Sequence, residues 1–272
     1  MKNSLNYVFG CLSVFLASTC YGQQPENDSI RINSAQSKHQ IAIRLKSPVS
    51  NLVVFQLSDI VTIQDAEPKT IMNTFQAQPI IPIPLSKNLR IVTRITATVN
   101  HLWETGSSTK YGFGDMSTEF WLSPNYDVDQ FGFGAGGIVT YPTASNPVFG
   151  LQKWLVGPTA AIVKQQGAFT VGLVANHQWS IEGSAFNKTF VDPWFGYTWQ
   201  HGFAVEMESQ SSYDWTGKDW IIPIQAGVGQ LILVEKLPIN FQLDGVYLLH
   251  GPVQPVWGAN LTISFVINSI KG

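Results

Sequence analysis

The chain has 272 residues, a formal net charge of −2 and only 12% charged residues, against 12% aromatic residues. Soluble globular chains carry about 25% charged residues, so this shortage indicates that much of the exterior meets lipid, and the acidic balance disfavours nucleic acid as a partner. No apolar run approaches the ~20 residues that a spanning helix needs, so any crossing of a membrane has to be made by strands.

The N-terminus has the pattern of a signal peptide. Lys2 supplies a positive charge, residues 7–17 form an apolar stretch, and small residues precede a predicted cleavage site after Gly22. Both cysteines of the chain lie in this part, so the mature chain would have neither a disulfide framework nor a thiolate metal site. Lipidation of Cys20 is the alternative, although residues 17–19 do not form the usual Leu-led box.

The rest of the chain divides into two parts. Residues 23–47 are polar without sustained periodicity, which predicts a periplasmic extension or a mobile plug. From residue 48 onward, short alternating stretches are separated by Gly, Pro, Asn and Asp, the pattern of strands and turns. The predicted domains are therefore a signal peptide at 1–22, a polar periplasmic segment at 23–47 and an outer-membrane β-barrel at 48–272.

About twelve alternating stretches are present, and several are about ten residues long, which is typical of tilted strands that cross a bilayer. Strands of soluble sandwiches average about 5–6 residues. The predicted strand centres are Val54, Gln76, Thr93, Thr118, Ala135, Thr159, Leu173, Phe195, Val205, Gln225, Leu243 and Ile263.

The connections between these stretches alternate in length. Short turns are predicted near 86–88, 164–167, 200–202 and 235–237, and longer loops near 58–71, 100–111, 142–150 and 181–188. Outer-membrane barrels have short periplasmic turns, long external loops and an even number of strands. The predicted fold is an all-β, transmembrane, antiparallel up-and-down β-barrel of about 12 strands, with both termini in the periplasm.

The alternation also predicts which side chains face the lumen, the interior of the barrel. Charges that face lipid near the midplane cost ~2–4 kcal/mol for Arg, so the charged residues of the strands should point inward. A network of paired charges is favoured over a selectivity filter as their role. The candidate lumen-facing residues are Arg90, Arg94, Asp115, Glu119, Glu206, Glu208 and Asp244.

Two further patterns concern glycine and tryptophan. Gly132, Gly134 and Gly136 share one strand face, which predicts that a bulky side chain or another backbone packs closely there; open space is the alternative. Eight tryptophans lie mostly near predicted strand ends, where membrane interfaces favour amphipathic rings; a sandwich core is the alternative. They are Trp103, Trp121, Trp154, Trp179, Trp194, Trp199, Trp215 and Trp257.

The sequence offers little support for an enzyme, a metal site or a cofactor. It has no Gly-x-Ser-x-Gly elbow, no HExxH pair and no phosphate-binding loop that leads into a helix. A Ser-His-Asp set assembled from unrelated strands is the remaining enzymatic alternative. The interpretation is a non-enzymatic protein without catalytic, cofactor-binding or metal-binding residues.

An ordered series of blocks resembles the MetA-pathway of phenol degradation family, outer-membrane transporters of Gram-negative bacteria. The blocks are SPVSNLVVFQLSD, QPIIPIPLSKNLRIVTR, GFGDM, YPTAS, KWLVGPTAAIVKQQGAFTVGLVANHQWS, YDWTGKDWIIPIQAGVGQL and LTISF. The resemblance covers about 47–265 and implies a β-barrel associated with the breakdown of aromatic compounds, with no catalytic residues. VTIQDAEPK, at 61–69, departs from the Gly- and Asp-rich loop of the relatives.

The hypothesis is a channel or transporter in the bacterial outer membrane for small solutes, aromatic compounds among them. Its expected partners are outer-membrane lipid, an unidentified small solute, and the barrel-assembly machinery, since the strand ending at Phe265 resembles the signal that this machinery reads. The first alternative is a closed structural or ligand-binding barrel that transports nothing. The second is a soluble secreted β-sandwich.

Overall fold

The computed structural model describes residues 35–65, 67–126, 131–183, 185–251 and 256–269. The predicted signal peptide lies outside the described residues, as does the part of the polar segment before residue 35. The described elements are one helix, α1 (Ala35–Leu45), and the strands β1 (Leu52–Gln64), β2 (Thr70–Ser86), β3 (Leu89–Glu104), β4 (Lys110–Phe113), β5 (Ser117–Pro124), β6 (Phe131–Thr140), β7 (Leu155–Gln166), β8 (Phe169–Ser180), β9 (Asn187–Thr198), β10 (Phe203–Glu208), β11 (Ser211–Asp214), β12 (Asp219–Val234), β13 (Leu237–His250) and β14 (Val256–Ser269).

The strands form one closed antiparallel sheet. Strands that are neighbours along the chain pair with each other, apart from β4 with β5 and β10 with β11, and β14 pairs with β1 to close the barrel. β4 and β5 both pair with β3, and β10 and β11 both lie between β9 and β12, so each of these pairs occupies a single position. The barrel therefore has twelve strand positions, which confirms the predicted fold, and every predicted strand centre lies in a strand.

Alternation along the strands separates an apolar outer surface from a more polar interior, because successive side chains of a strand point to opposite faces. On β6, Phe131 and Phe133 are half-exposed on the outside. Gly134 faces inward, where a Cβ would lie 2.9 Å from Cβ of Trp121 and 3.0 Å from a methyl of Val49. The predicted close packing on the glycine face is thus confirmed.

The two ends of the barrel differ in their connections. At the short-turn end, turns such as 87–88, 167–168 and 235–236 join the strands. At the long-loop end, residues 141–154 join β6 to β7. Phe149 of this loop packs beside Gly112 of β4. Gly112 is the register partner of Asn100, which is buried on the inner face of β3. Part of the longest loop therefore folds into the barrel mouth.

Two predicted loops, 58–71 and 100–111, are wrong at both ends. For the second, β3 continues to Glu104 and β4 begins at Lys110, so the connection covers only 105–109. The first differs in the same way. β1 continues to Gln64 and β2 begins at Thr70, so the connection covers only 65–69. Asp59 was the misleading loop signal: it lies on the outer face of β1, where its carboxylate accepts a hydrogen bond from Nδ2 of Asn73, 2.5 Å away on β2. A charge in a strand is tolerated there because a neighbouring strand supplies a polar partner.

Six of the eight tryptophans predicted at strand ends are exposed on the outer surface: Trp103, Trp154, Trp179, Trp199, Trp215 and Trp257. The other two do not follow the prediction. Trp121 is fully buried and Trp194 lines the lumen. Glu119 lies two residues before Trp121, and Asp192 lies two residues before Trp194. Residues two apart on a strand share a face, so both tryptophans point into the lumen with these carboxylates.

The polar segment before the barrel is partly helical, a structure that its sequence pattern does not predict. Ile41, Ala42 and Ile43 of α1 are buried, and the carbonyl oxygen of Ile43 accepts a hydrogen bond from Nε2 of Gln165, 2.5 Å away on β7. Short helices gain most of their stability from tertiary contacts, and here the barrel wall supplies them. No helix among the described residues is long and apolar enough to cross a membrane.

Residues 35–51 form the N-terminal plug, which lies against the inside of the barrel at the short-turn end. His39 Nδ1 donates to the carbonyl oxygen of Trp199, 3.1 Å away in a turn of that end. Ser47 hydrogen-bonds the hydroxyl of Tyr126, which follows β5 at the same end. Burial raises the pKa of Tyr126, so its phenol stays neutral and free to make this bond. The described part of this segment therefore lies inside the barrel.

Candidate functional site: a polar cavity in the barrel lumen

The barrel encloses a cavity of about 480 Å³ between the N-terminal plug and the strand walls. Leu45, Lys46, Ser47 and Pro48 of the plug form one boundary, and the inward faces of the strands form the others. Amide side chains line much of the wall: Gln56, Gln76, Gln78, Asn176, Gln178, Gln210, Asn240, Gln242 and Asn260. A cavity of this volume lies within the range of small-molecule sites.

One wall of the cavity is organised around Glu119 of β5. Nη2 of Arg94, on the adjacent β3, lies 2.5 Å from Oε2 of Glu119, and the hydroxyl of Thr159 donates to Oε1. Nδ2 of Asn176 lies 3.4 Å from the same Oε1. The guanidinium of Arg94 also lies over the Trp121 ring, 5.0 Å from its centroid. These contacts fix both charges in place, as a paired lumen charge requires.

The opposite wall is organised around Lys46, which the plug inserts among acidic residues. Nζ of Lys46 forms an ion pair with Glu206 of β10 and donates to Oε1 of Gln242, 3.2 Å away on β13. Nε2 of Gln242 in turn donates to Oδ1 of Asp244 at 3.1 Å. Burial lowers the pKa of Lys46 to about 8, against the opposing attraction of Asp244 and Glu208. The plug therefore contacts this wall through the polar contacts of Lys46 with Glu206 and Gln242.

Glycine positions make room for this acidic wall. Glu206 and Gly227 are register partners between β10 and β12, and Gly227 and Asp244 are partners between β12 and β13. A Cβ at Gly227 would lie 2.4 Å from Oδ1 of Asp244. Because position 227 has no side chain, the Asp244 carboxylate lies over it, in one row with Glu206.

A third wall is provided by β9, where Lys188, Phe190, Asp192 and Trp194 alternate on the inward face. The Trp194 ring lies over Gly172 of β8, the position where a Cβ would come 2.2 Å from the ring. Oδ1 of Asp192 is enclosed and has no hydrogen-bond partner among the described residues. This wall thus places the rings of Phe190 and Trp194 beside the Asp192 carboxylate, one oxygen of which has no hydrogen-bond partner among the described residues.

The strands that carry the Glu119 contacts, β3, β5, β7 and β8, also form a packed apolar region, which lies nearer the short-turn end on β5 than Glu119 does. Val49 of the plug is fully buried in a cluster of inward-facing wall residues, called here the packed cluster: Val49, Val92, Trp121, Ala161, Val163 and Val174. Nε1 of Trp121 donates to the hydroxyl of Thr159, 3.1 Å away, which satisfies the one polar group of this ring. The plug therefore contacts one side of the lumen by packing and the other by charge.

The structure brings five of the seven candidate lumen residues together at the cavity: Arg94, Glu119, Glu206, Glu208 and Asp244. Arg90 is buried too, but it lies nearer the short-turn end, with its guanidinium 5.4 Å from the centroid of the Tyr126 ring.

Asp115 departs from its predicted place on the inward face of a strand. It lies in the break between β4 and β5, and its carboxylate accepts hydrogen bonds from the backbone nitrogens of Ala144 and Gln152, at 2.9 and 3.0 Å. Two backbone donors from one loop hold this carboxylate outside the strand ladder. Asp115 therefore anchors the loop at the barrel mouth and does not line the cavity.

Sequence reasoning missed three charged residues that line the cavity: Lys46, Lys188 and Asp192. The inward position of Lys188 and Asp192 could have been predicted. Both lie an even number of residues from the inward-facing Trp194 on the same strand, whereas Phe195, at an odd separation, faces outward. The position of Lys46 could not, since this residue belongs to a segment without periodicity whose position depends on the completed barrel. None of the five histidines lines the cavity, and the described residues contain no group of three or more metal-ligating side chains placed for a metal ion.

No family model and no curated protein matches this chain. Among solved structures it is similar to the COG4313 outer membrane channel from Pseudomonas putida F1, with a TM-score of 0.62 and 14% sequence identity over 79% of this chain and 94% of that chain. OmpT, an outer membrane protein of Vibrio cholerae, is a remote match, with a TM-score of 0.38 and 6% identity over 78% of this chain and 97% of that one. The first similarity shows that this chain has the fold of an outer membrane β-barrel.

Proposed function

We propose that this protein is a channel in the bacterial outer membrane that carries small solutes through the barrel lumen. The observation that carries the proposal is the polar cavity of about 480 Å³ inside a closed barrel. A barrel that served only as a scaffold could fill this space with apolar side chains at less cost, because every buried polar group must find a partner.

The outer surface supports a membrane location. Large apolar side chains such as Phe75, Ile83, Leu122, Val171 and Leu243 are exposed around the wall. Soluble monomers rarely expose such a continuous apolar surface, whereas a lipid-facing barrel needs one. The signal peptide predicted at 1–22 would deliver the chain to the envelope of a Gram-negative bacterium.

The N-terminal plug defines how transport would work. On its apolar side, Val49 packs without space against the wall; on its charged side, Lys46 borders the cavity. A solute arriving from the long-loop end would therefore meet the plug at its charged side. Passage to the periplasm requires Lys46 to shift from the acidic wall, or the plug to leave the lumen.

Membership of the MetA-pathway of phenol degradation family, and aromatic compounds as solutes, are the finer parts of the proposal. The ordered sequence blocks support the family, and Phe190 and Trp194 offer aromatic surface in the cavity wall. Rings of a solute would stack on such side chains with a gain of about 0.5–1.5 kcal/mol.

Planar-bilayer recording of the refolded chain from residue 23 onward tests the channel. Discrete conductance steps are expected, and a sample unfolded by heat serves as the control. A protein that migrates as a folded barrel on a heat-shift gel yet seals the bilayer at all voltages contradicts transport.

That second result would favour a closed, ligand-binding barrel, for which the packed cluster around Val49 is the supporting observation. Uptake into liposomes then separates the two functions. A transporting barrel releases a trapped dye of small size, whereas a closed barrel retains it.

A further inference from the structure

We propose that the lumen cavity selects cations over anions, with small organic ammonium ions as its preferred solutes. This deepens the channel function proposed above and rests on it for the passage of the solute, but binding in the cavity can be measured without passage.

The charged side chains of the cavity lining are mostly acidic. Three cationic side chains line it, Lys46, Arg94 and Lys188, against five carboxylates, Glu119, Asp192, Glu206, Glu208 and Asp244. The formal difference is two negative charges. In a cavity with low-dielectric walls, such an excess concentrates ions of the opposite sign.

The cationic side chains of the cavity all lie beside carboxylates. Glu119 pairs with Arg94 and Glu206 pairs with Lys46, while Lys188 is the register neighbour of Asp214 on β11. Each of the three cations therefore already has an acidic neighbour. The positive groups of the cavity are not available to attract an anion.

The remaining three carboxylates form no ion pair with any described lysine, arginine or histidine. Glu208 accepts a hydrogen bond from Nε2 of Gln210 at 3.0 Å, and Asp244 accepts from Gln242 at 3.1 Å. Asp192 has one oxygen enclosed without a partner. Neutral amide donors orient a carboxylate but do not cancel its charge, so a mobile cation completes the site.

Two aromatic rings of the cavity wall lie beside these carboxylates. Trp194 is the register partner of Glu208, and Asp192 and Phe190 lie on the same inward face of β9. Two rings beside two carboxylates suit an ammonium group with an apolar substituent. Cation–π attraction adds about 0.5–2 kcal/mol to the charge attraction at such a site.

An alkali metal ion shares the charge of an ammonium ion but gains little from the rings, because it would have to give up its hydration shell. The amides of the wall would serve the organic ion as well, since their oxygens accept its N–H donors. The cavity therefore favours the organic cation over the metal ion, and disfavours a carboxylate of the same shape.

Isothermal titration of the refolded chain in detergent provides the test, with benzylammonium and benzoate as probes of matched size and opposite charge. We expect benzylammonium to bind at least about tenfold more tightly than benzoate, the lower end of what a focused field produces. Potassium competes only weakly if the rings contribute. The double variant Asp192→Asn, Glu208→Gln should lose about tenfold in benzylammonium affinity, since two charges are removed.

Glu235→Gln is the matched control, because Glu235 is an exposed carboxylate in the turn between β12 and β13. Equal binding of the two probes, no binding of either, or an unchanged affinity in the double variant would overturn the inference. Conductance without selective binding would support the channel and contradict the cation site. Selective binding without conductance would support the cation site and contradict the channel.

Discussion

The two sides of the lumen contact the N-terminal plug in different ways. The side that carries the packed cluster meets the N-terminal plug with apolar surface, and Val49, Val92 and Trp121 have no exposed area. The acidic side meets the plug through Lys46 and leaves a cavity. Apolar groups gain by closing every gap, whereas charged groups lose by giving up water. The barrel is therefore closed on one side and keeps solute space on the other.

Val49→Asp should have the largest effect on this difference. It places a carboxylate in the packed cluster, which weakens docking of the plug by roughly 4 kcal/mol, or about a thousandfold. We expect longer and more frequent open periods in single-channel recordings. Val49→Ala is the control, because it removes methyl groups without adding charge and should change the opening far less. Unchanged conductance in a folded Val49→Asp barrel would refute the role of the packed side.

Glu119→Gln tests the ion pair with Arg94, which lies on the two strands that also carry Val92 and Trp121 of the packed cluster. Arg94 would lose its counter-charge while the shape of the side chain stays the same. We expect the free energy of unfolding in urea to fall by about 3 kcal/mol, the cost of breaking a mostly buried pair.

The matched control for this change is Asp219→Asn at the barrel rim, where Asp219 pairs with the exposed His250 at 3.1 Å. An exposed pair contributes about 0–1 kcal/mol. If the two variants are destabilised equally, the charges of the lumen are no more important than those of the surface.

Gly134→Ala adds a single methyl group to the packed side. Its Cβ would lie 2.9 Å from Trp121 and 3.0 Å from Val49, so the plug or the ring must move. Overpacking of this kind costs about 2 kcal/mol, measured as a lower midpoint of unfolding. Gly245→Ala is the control, since the nearest atom to its Cβ is 3.9 Å away. An equal loss in both variants would mean that the cost arises in the strand and not in the plug contact.

Raising the pH should close the charged side, with an effect of up to about 1.4 kcal/mol per pH unit. Burial lowers the pKa of Lys46 to about 8 in the docked plug, whereas the released lysine keeps a value near 10.4. The docked form binds its proton less tightly, so docking gains up to about tenfold per pH unit between roughly pH 8 and 10.4. Glu206, Glu208 and Asp244 face Lys46 from β10 and β13.

Recordings across this pH range should therefore show fewer open periods as the pH rises. Lys46→Met, which has no charge to titrate, is the control and should show a flat profile. If the open probability of the wild-type protein rises with pH, deprotonation of Lys46 does not strengthen docking of the plug.

Much of the barrel could be predicted from the sequence because strand alternation is a local property. Leu261, Ile263 and Phe265 alternate with polar residues whether or not the barrel is closed, and the same rule placed Arg94, Glu119 and Glu206 in the lumen. Charge in a lipid-facing position is costly enough to leave few exceptions.

The plug and its contacts could not be predicted in this way. Its residues find their partners on strands far along the chain: Lys46 donates to Gln242, 196 residues away, and Ile43 accepts from Gln165, 122 residues away. Asp115 was misplaced for the same reason, because the loop that it anchors follows another strand. Such contacts depend on the assembled barrel and leave no periodic pattern in the sequence.

Thiol labelling of Val49→Cys tests most directly whether the plug lies inside the lumen. The chain from residue 23 onward has no other cysteine, and Lys87→Cys in an exposed turn is the accessible control. In the folded barrel we expect position 87 to react with a bulky maleimide at once and position 49 to stay unmodified until the barrel unfolds. Equally fast labelling of both positions would contradict a docked plug.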